Sequence, residues 1–268
     1  SMKITSVNNE LIKETAKLLQ RKYRDEKGLF LLEGEKCIQE ALASGLEIVH
    51  IFETEGCKNF SNSIEVTEPV MSKISSTVTP PKAAAIAKKF EMEWNDDYKH
   101  VVLLENIKDA GNLGTILRTT AAFNVDAVVL YGDTVDLYNP KCVRSSVGNL
   151  WKIPVFHFAD KTDLMVNFMG YERVATLPKS NNSVWLKDYT PAEKVLVMFG
   201  TEAPGLSNEL KEFANKNVTI EDIFNKMLIE TDKVLSKYKT EIKKSKLSTQ
   251  QIITLSSIVE LEGLSDKD

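Results

Sequence analysis

Cysteine and histidine are scarce: Cys37, Cys57 and Cys142, with His50, His100 and His157, are the whole supply in 268 residues. Three scattered cysteines make neither a disulfide framework nor metal-ligand spacing, so a reducing cytoplasm is expected and a metal centre is not. The histidines are equally dispersed, which leaves a Ser/His/Asp triad without a partner pattern. Long hydrophobic runs are missing too. Val101–Leu104, Ala127–Tyr131 and Val195–Phe199 fall far short of the ~20 residues that cross a bilayer, so no membrane role is expected. Nothing at the N-terminus reads as a signal peptide, and Ser1 ahead of Met2 reads as a remnant of tag removal. Positive charge is also in deficit: the formal net charge is −4 and the pI about 5.6, which argues against nucleic-acid binding over the whole surface.

What is present is an ordinary globular composition, 43% apolar and 27% charged, in a chain long enough for one large or two modest domains. Residues 8–20 repeat apolar positions at helical spacing. "GLFLLEG" (28–34) reads as a strand, "EKCIQEALASG" as a helix closing on glycine, and "EIVHIF" as a strand. "IEVT", the helix-like "EPVMSKIS" and "AAAIA" complete a small alternating unit over 2–90. The polar stretch "EMEWNDDYKH" (91–100) is the expected linker. A second unit follows over 101–220, with strands expected at 101–104, 127–131, 173–177, 195–199 and 217–220. Helices are expected at 112–123, 140–150, 162–169 and 207–216. This alternation predicts an α/β fold with a mostly parallel sheet covered on both faces. Ligands of such sheets bind beyond the carboxyl ends of the strands.

"ENIKDAGNLGTILRT" (105–119) sits at one such end. Asn112 falls where an N-cap belongs. Gly111, Gly114 and Arg118, spaced three and four apart, share a helix face, so a permanently charged guanidinium stands beside two positions without side chains. Asp133 follows the next strand, as a ribose-binding acid would in a dinucleotide site, but "DAGNLG" has only two of the three glycines of G-x-G-x-x-G. A later strand leads into a second glycine loop, "FGTEAPGLSNEL" (199–210), with Glu202 at its centre.

Together the phrases "NIKDAGNLGTILRTTAAF", "LYNPKCVRSSVGNL" and "VMFGTEAPGLS" resemble the TrmH/SpoU family of RNA 2′-O-methyltransferases, in the knotted SPOUT superfamily. "KYRDEKGLFLLEGEKCIQEAL" also resembles that family's small ribosomal-protein-like substrate-binding domain. The resemblance covers roughly 3–220. It implies a SPOUT-type trefoil-knot domain, S-adenosylmethionine as cofactor, rRNA or tRNA as partner, and a homodimer. It places Arg118, Asn112 and Glu202 at the catalytic centre. Thr176, Leu177, Gly200, Gly205 and Ile220 then border the cofactor.

In that setting the basic run 21–27, preceded by Lys13 and Lys17, gains meaning. Lys17, Arg21, Lys22 and Arg24 would meet phosphates, and Tyr23 would stack on an unpaired base. Arg144 is a further RNA-contact candidate, with a plain surface charge as the competing reading.

The sequence departs from the family after "NVTI". The family's third motif, of the type I-P-M followed by S-L-N-x-S-x-A, is replaced by "EDIFNKM", and no S-L-N phrase lies downstream. Residues 221–268 read instead as two amphipathic helices. An RNA-binding relative without methyl transfer is therefore the alternative reading.

Overall fold

The structure, a computed structural model, describes residues 2–123, 125–177, 183–185, 189–201 and 204–219. The expected tail helices lie outside the described residues, as does the segment that would close a knot. The chain forms two compact units. One contains the described residues up to Glu91 together with Asp136–Lys152, and the other contains the described residues of Met92–Val135 and those from Ile153 to Thr219.

The first unit is built on a five-stranded mixed sheet. Its strands are β1 (Lys3–Ile4), β2 (Leu29–Glu33), β3 (Ile48–Thr54), β4 (Ile64–Val66) and β5 (Ala83–Lys88), in the order β1-β4-β3-β5-β2. Its helices are α1 (Glu10–Lys17), α2 (Arg21–Lys27), α3 (Glu35–Ala43), α4 (Glu68–Ile74) and α6 (Pro140–Ser146). Asn9 starts α1 by accepting the Leu11 and Ile12 amides, and α2 stops at Gly28, whose φ of +65° is left-handed.

The run "FLL" has no polar alternation because β2 is buried on both faces. Leu31 packs with Ile12, Leu18, Val70 and Ile74. Phe30 points the other way and meets the Tyr138 ring at 4.8 Å. Tyr138 belongs to the 136–152 segment, which the sequence reading assigned to the second unit. Three kinds of contact hold the segment in the first. Tyr138 donates to the Phe90 carbonyl at 2.9 Å. The Arg24 guanidinium grips Asp136, and Arg144 meets the buried Glu33 carboxylate at 3.0 Å. Removing one member of a buried ion pair typically costs about 3–5 kcal/mol, because the other is left charged and unpaired.

The second unit is a seven-stranded sheet in the order β10-β12-β9-β11-β6-β7-β8. The strands are β6 (His100–Glu105), β7 (Ala127–Tyr131), β8 (Val155–Phe158), β9 (Glu172–Leu177), β10 (Val184–Trp185), β11 (Val195–Phe199) and β12 (Lys216–Thr219). Every pairing is parallel. Its helices are α5 (Ala110–Ala122), α7 (Lys161–Phe168) and α8 (Asn208–Phe213). The five expected strands are present, and β8 and β10 are additional. The stretch read as a polar linker is partly core: Trp94 packs on Tyr98 and Phe156 at 5.0 Å and on Phe168 at 5.2 Å. Its charged neighbours hid two aromatics that fold onto β8 and α7.

Burial pushes the Tyr138 hydroxyl up to about 12 from an ordinary 10.0, with the Phe90 hydrogen bond a smaller opposing influence. A raised folded pKa stabilises the fold below the unfolded value and loses that contribution as pH climbs through the folded one. The alkaline limb of stability between pH 10 and about 12 is therefore expected to be shallower in Tyr138→Phe than in the parent, read by thermal melts across that range.

Candidate functional site

Because β12, β9, β11 and β6 are adjacent and parallel, their carboxyl ends share one edge. Register fixes the alignment: Phe199 pairs with Leu104, and Leu177 with Thr219. The loop 105–109 thus leaves β6 beside the loop 200–206 leaving β11. Thr176 and Leu177 end the strand on the other side of β11, and the Thr176 hydroxyl donates to the Met198 carbonyl at 2.8 Å. Gly200, Gly205, Thr176 and Leu177 are brought to one edge in this way, and Asn112 and Arg118 lie on the helix that starts there.

The start of that helix corrects one expectation. Asp109, not Asn112, is the N-cap: its carboxylate accepts the Asn112 amide at 2.8 Å. Asn112 lies inside the first turn and is buried, while Arg118, about two turns further on, is half-buried. Asp109 wins because its acceptor sits three residues before the amide it caps, and Ala110 already has helical geometry. Glu202 and Ile220 lie outside the described residues. Asp133, weighed as a ribose ligand, is exposed and pairs with Lys108 at 3.3 Å.

Two carboxylates that the sequence reading passed over brace the second loop. Glu105 follows the apolar run Val101–Leu104 at the end of β6 and is buried. It accepts the Ser207 amide at 2.7 Å and the Ser207 hydroxyl at 2.6 Å. Ser207 caps α8, so this clamp ties the end of the second glycine loop to the start of the first. Glu209, in the first turn of α8, accepts the Tyr131 hydroxyl, and burial, reinforced by Glu209, pushes that phenol well up. One acid at the end of an apolar strand was the available signal, since burying it demands partners. A third brace lies beside β7, where the Asn106 side chain accepts the Asp133 amide at 2.8 Å. A Cβ at Gly132, whose φ is +82°, would run into Asn106.

The expected RNA contacts all lie in the first unit and divide in two. Lys17, Arg21, Lys22 and Tyr23 remain at the surface or half-buried, with the Lys17 and Lys22 ammonium groups each 5.5 Å from the Tyr23 ring centre. Lys17 and Lys27 both reach Glu14, and their hydrogen bonds hold that carboxyl down at about 2. Arg24 and Arg144 do not join this face. Arg24 is 2% exposed and bonds to Asp136 and to the Leu18 carbonyl. Arg144 is turned to Glu33 and to Ser76. A guanidinium on an amphipathic helix serves buried acids as readily as phosphate, and sequence alone does not separate the two.

In the second loop the backbone at Gly200 comes close to that at Gly205 and Leu206. A Cβ at Gly200 would overlap the backbone of Gly205 and Leu206, so only glycine allows this turn. Gly205, at φ +82°, turns the chain back. With this turn bordering the cofactor, as the resemblance implies, Gly200→Val should weaken S-adenosylhomocysteine binding by more than about tenfold, the scale set by losing a preorganised contact surface. Gly170→Ala, at an open position with nothing within 4 Å of its Cβ, should leave it unchanged. Calorimetric titration of both variants checks this.

Residues 99–225 match the model of the SpoU rRNA Methylase family, and residues 9–85 match the MRM3-like substrate binding domain. An uncharacterized tRNA/rRNA methyltransferase of Synechocystis is 33% identical, aligned over 81% of this chain and 84% of its own. The 23S rRNA (guanosine(2553)-2′-O)-methyltransferase RlmP of Bacillus subtilis is 31% identical over 81% of this chain and 89% of its own. A crystal structure of an RNA 2′-O ribose methyltransferase superposes with a TM-score of 0.73 at 26% identity, covering 99% of both chains. An rRNA methyltransferase from Sinorhizobium meliloti, solved with AdoMet bound, has the same fold at a TM-score of 0.74 and 24% identity. With two homologous segments and relatives matched over most of their length, this chain belongs to the SpoU rRNA methylase family.

Proposed function

We propose that this protein methylates a ribose 2′-hydroxyl of ribosomal RNA with S-adenosylmethionine as donor. The observation that carries this reading is the clamp between Glu105 and Ser207. It holds together the two glycine loops whose sequences carry the family resemblance, at the end of a parallel sheet where ligands bind.

Bound S-adenosylmethionine supplies the chemistry, an electrophilic methyl on a sulfonium centre. The chain's own work is alignment and charge. Gly200 and Gly205 offer backbone without side chains to the cofactor, with Thr176 and Leu177 as a neighbouring wall. Ile220 and Glu202 complete the proposed set. Arg118 is proposed to act as a cation and hydrogen-bond donor, not as the base. Its role is to bind a neighbouring phosphate and stabilise negative charge growing on the ribose oxygen. Asn112 shares this role from the first turn of the same helix.

Lys17, Arg21, Lys22 and Tyr23 form the proposed RNA face of the first unit. A local cationic patch with an aromatic ring serves an RNA despite the acidic whole. The homodimer implied by the resemblance and a cytoplasmic location belong to the same reading.

The test pairs binding with transfer. S-adenosylhomocysteine should bind saturably in calorimetry, and tritiated methyl should pass from the donor to an unmodified 23S rRNA transcript and resist alkaline cleavage at that ribose. Arg118→Lys keeps the charge but loses the fork, so transfer should fall by about 100-fold, the scale of losing one transition-state donor. Cofactor affinity should change little. Binding of RNA without any binding of cofactor would instead favour the inactive relative, which the missing third motif suggests.

A further inference from the structure

Helix α2 has two working faces. Arg21 and Lys22 point outward, where the proposed RNA face lies, and Arg24 points inward. Its Nε and Nη2 both donate to the same Asp136 oxygen, at 2.9 and 2.8 Å, while Nη1 donates to the Leu18 carbonyl at 3.0 Å. The other Asp136 oxygen accepts the Tyr138 amide at 3.2 Å. The acid is thus held from both sides. An apolar pair would fill this volume without desolvating two charges, so what the ion pair adds is direction and register.

Asp136 is the first residue of the segment that the first unit takes from the chain between β7 and β8. The residue before it, Val135, donates its amide to the Ile107 carbonyl at 2.7 Å. Ile107 lies in the loop between β6 and α5, two residues before the Asp109 cap that starts the helix bearing Asn112 and Arg118. A continuous path of covalent and hydrogen bonds therefore runs from α2 through Arg24, Asp136 and Val135 to the loop that leads into the helix of Asn112 and Arg118.

We infer that Arg24 and Asp136 are positioning residues, coupling RNA engagement at α2 to the setting of the 106–109 loop and so to cofactor binding. This rests on the proposed RNA and cofactor roles. Coupling between two ligands is reciprocal, so it can be read without turnover. It also needs an element that both ligands bias, a role assigned in this inference to the 136–152 segment, which carries the buried Arg24–Asp136 pair and the partly exposed Arg144–Glu33 pair.

The experiment titrates S-adenosylhomocysteine into the full-length protein, alone and with a saturating unmodified 23S rRNA transcript. The parent should bind it about fivefold or more tighter with RNA, the lower end of ordinary coupling. In Arg24→Gln and in Asp136→Asn that ratio should fall towards one, with RNA affinity measured without cofactor staying within about twofold, as expected for groups that touch no ligand. Asp136→Asn retains an acceptor for both partners and serves if Arg24→Gln does not fold. A merely structural role would lower the number of binding sites per chain and leave the ratio untouched. An unchanged ratio in folded variants, or no coupling in the parent, overturns the inference, as does a loss of RNA affinity in Asp136→Asn. Lys22→Gln separates the underlying reading: if RNA affinity is indifferent to it, the α2 face is wrong. If S-adenosylhomocysteine does not bind the parent at all, the cofactor assignment fails instead.

Discussion

The hydrogen bonds that β11 makes to β6 on one side and to β9 on the other set everything at the site. They are parallel and run through most of each strand, so the three carboxyl ends finish level. An antiparallel pairing at either place would send one loop to the opposite edge. Parallel pairing also requires long return connections, and these supply the helices that bury both faces. The apolar runs at 101–104 and 195–199 follow from that double burial. Only at the ends of the strands does the chain change character, and there Glu105, Gly200 and the loop glycines gather.

Buried charge has a recurring job in both units. Glu105 fixes a loop in the second unit by taking two hydrogen bonds from one serine. Glu33 in the first unit accepts from Ser75, from the Ser76 amide and from Arg144. Each acid stands at the end of an apolar strand, where the backbone leaves the sheet and donors are plentiful. A desolvated carboxylate needs several donors, and collecting them dictates how the following chain must run. Such acids organise loops that apolar packing cannot reach.

Much of this was legible in advance. The strand at 127–131 and the strand at 195–199 were read at their observed bounds because both are short, apolar and flanked by turn residues. The two glycine loops were found through their residue types. What escaped had physical reasons. Strand β8 has only "VFHF" to announce it, too short a run to separate from a loop. Trp94 and Tyr98 were masked by acidic neighbours. Arg24 looked like its neighbours Arg21 and Lys22, since helical position alone does not reveal that an acid more than a hundred residues away will claim one cation of a cluster. The cap at Asp109 was missed because Asn112 is an equally good capping residue by type.

The 136–152 segment also bears on inheritance. The small sheet and its helices look, by sequence, like a module that recombination could move with a single break near residue 91. In the folded protein such a break would strand a guanidinium and a carboxylate in the interior, since Asp136 and Arg144 would stay behind. The module is therefore not self-sufficient in charge. Lineages that exchanged it would have to replace Arg24 and Glu33 in the same step, or carry the 17-residue stretch along from the middle of the other unit. Covariation between positions 24 and 136, and between 33 and 144, is the trace such a constraint would leave in descendants.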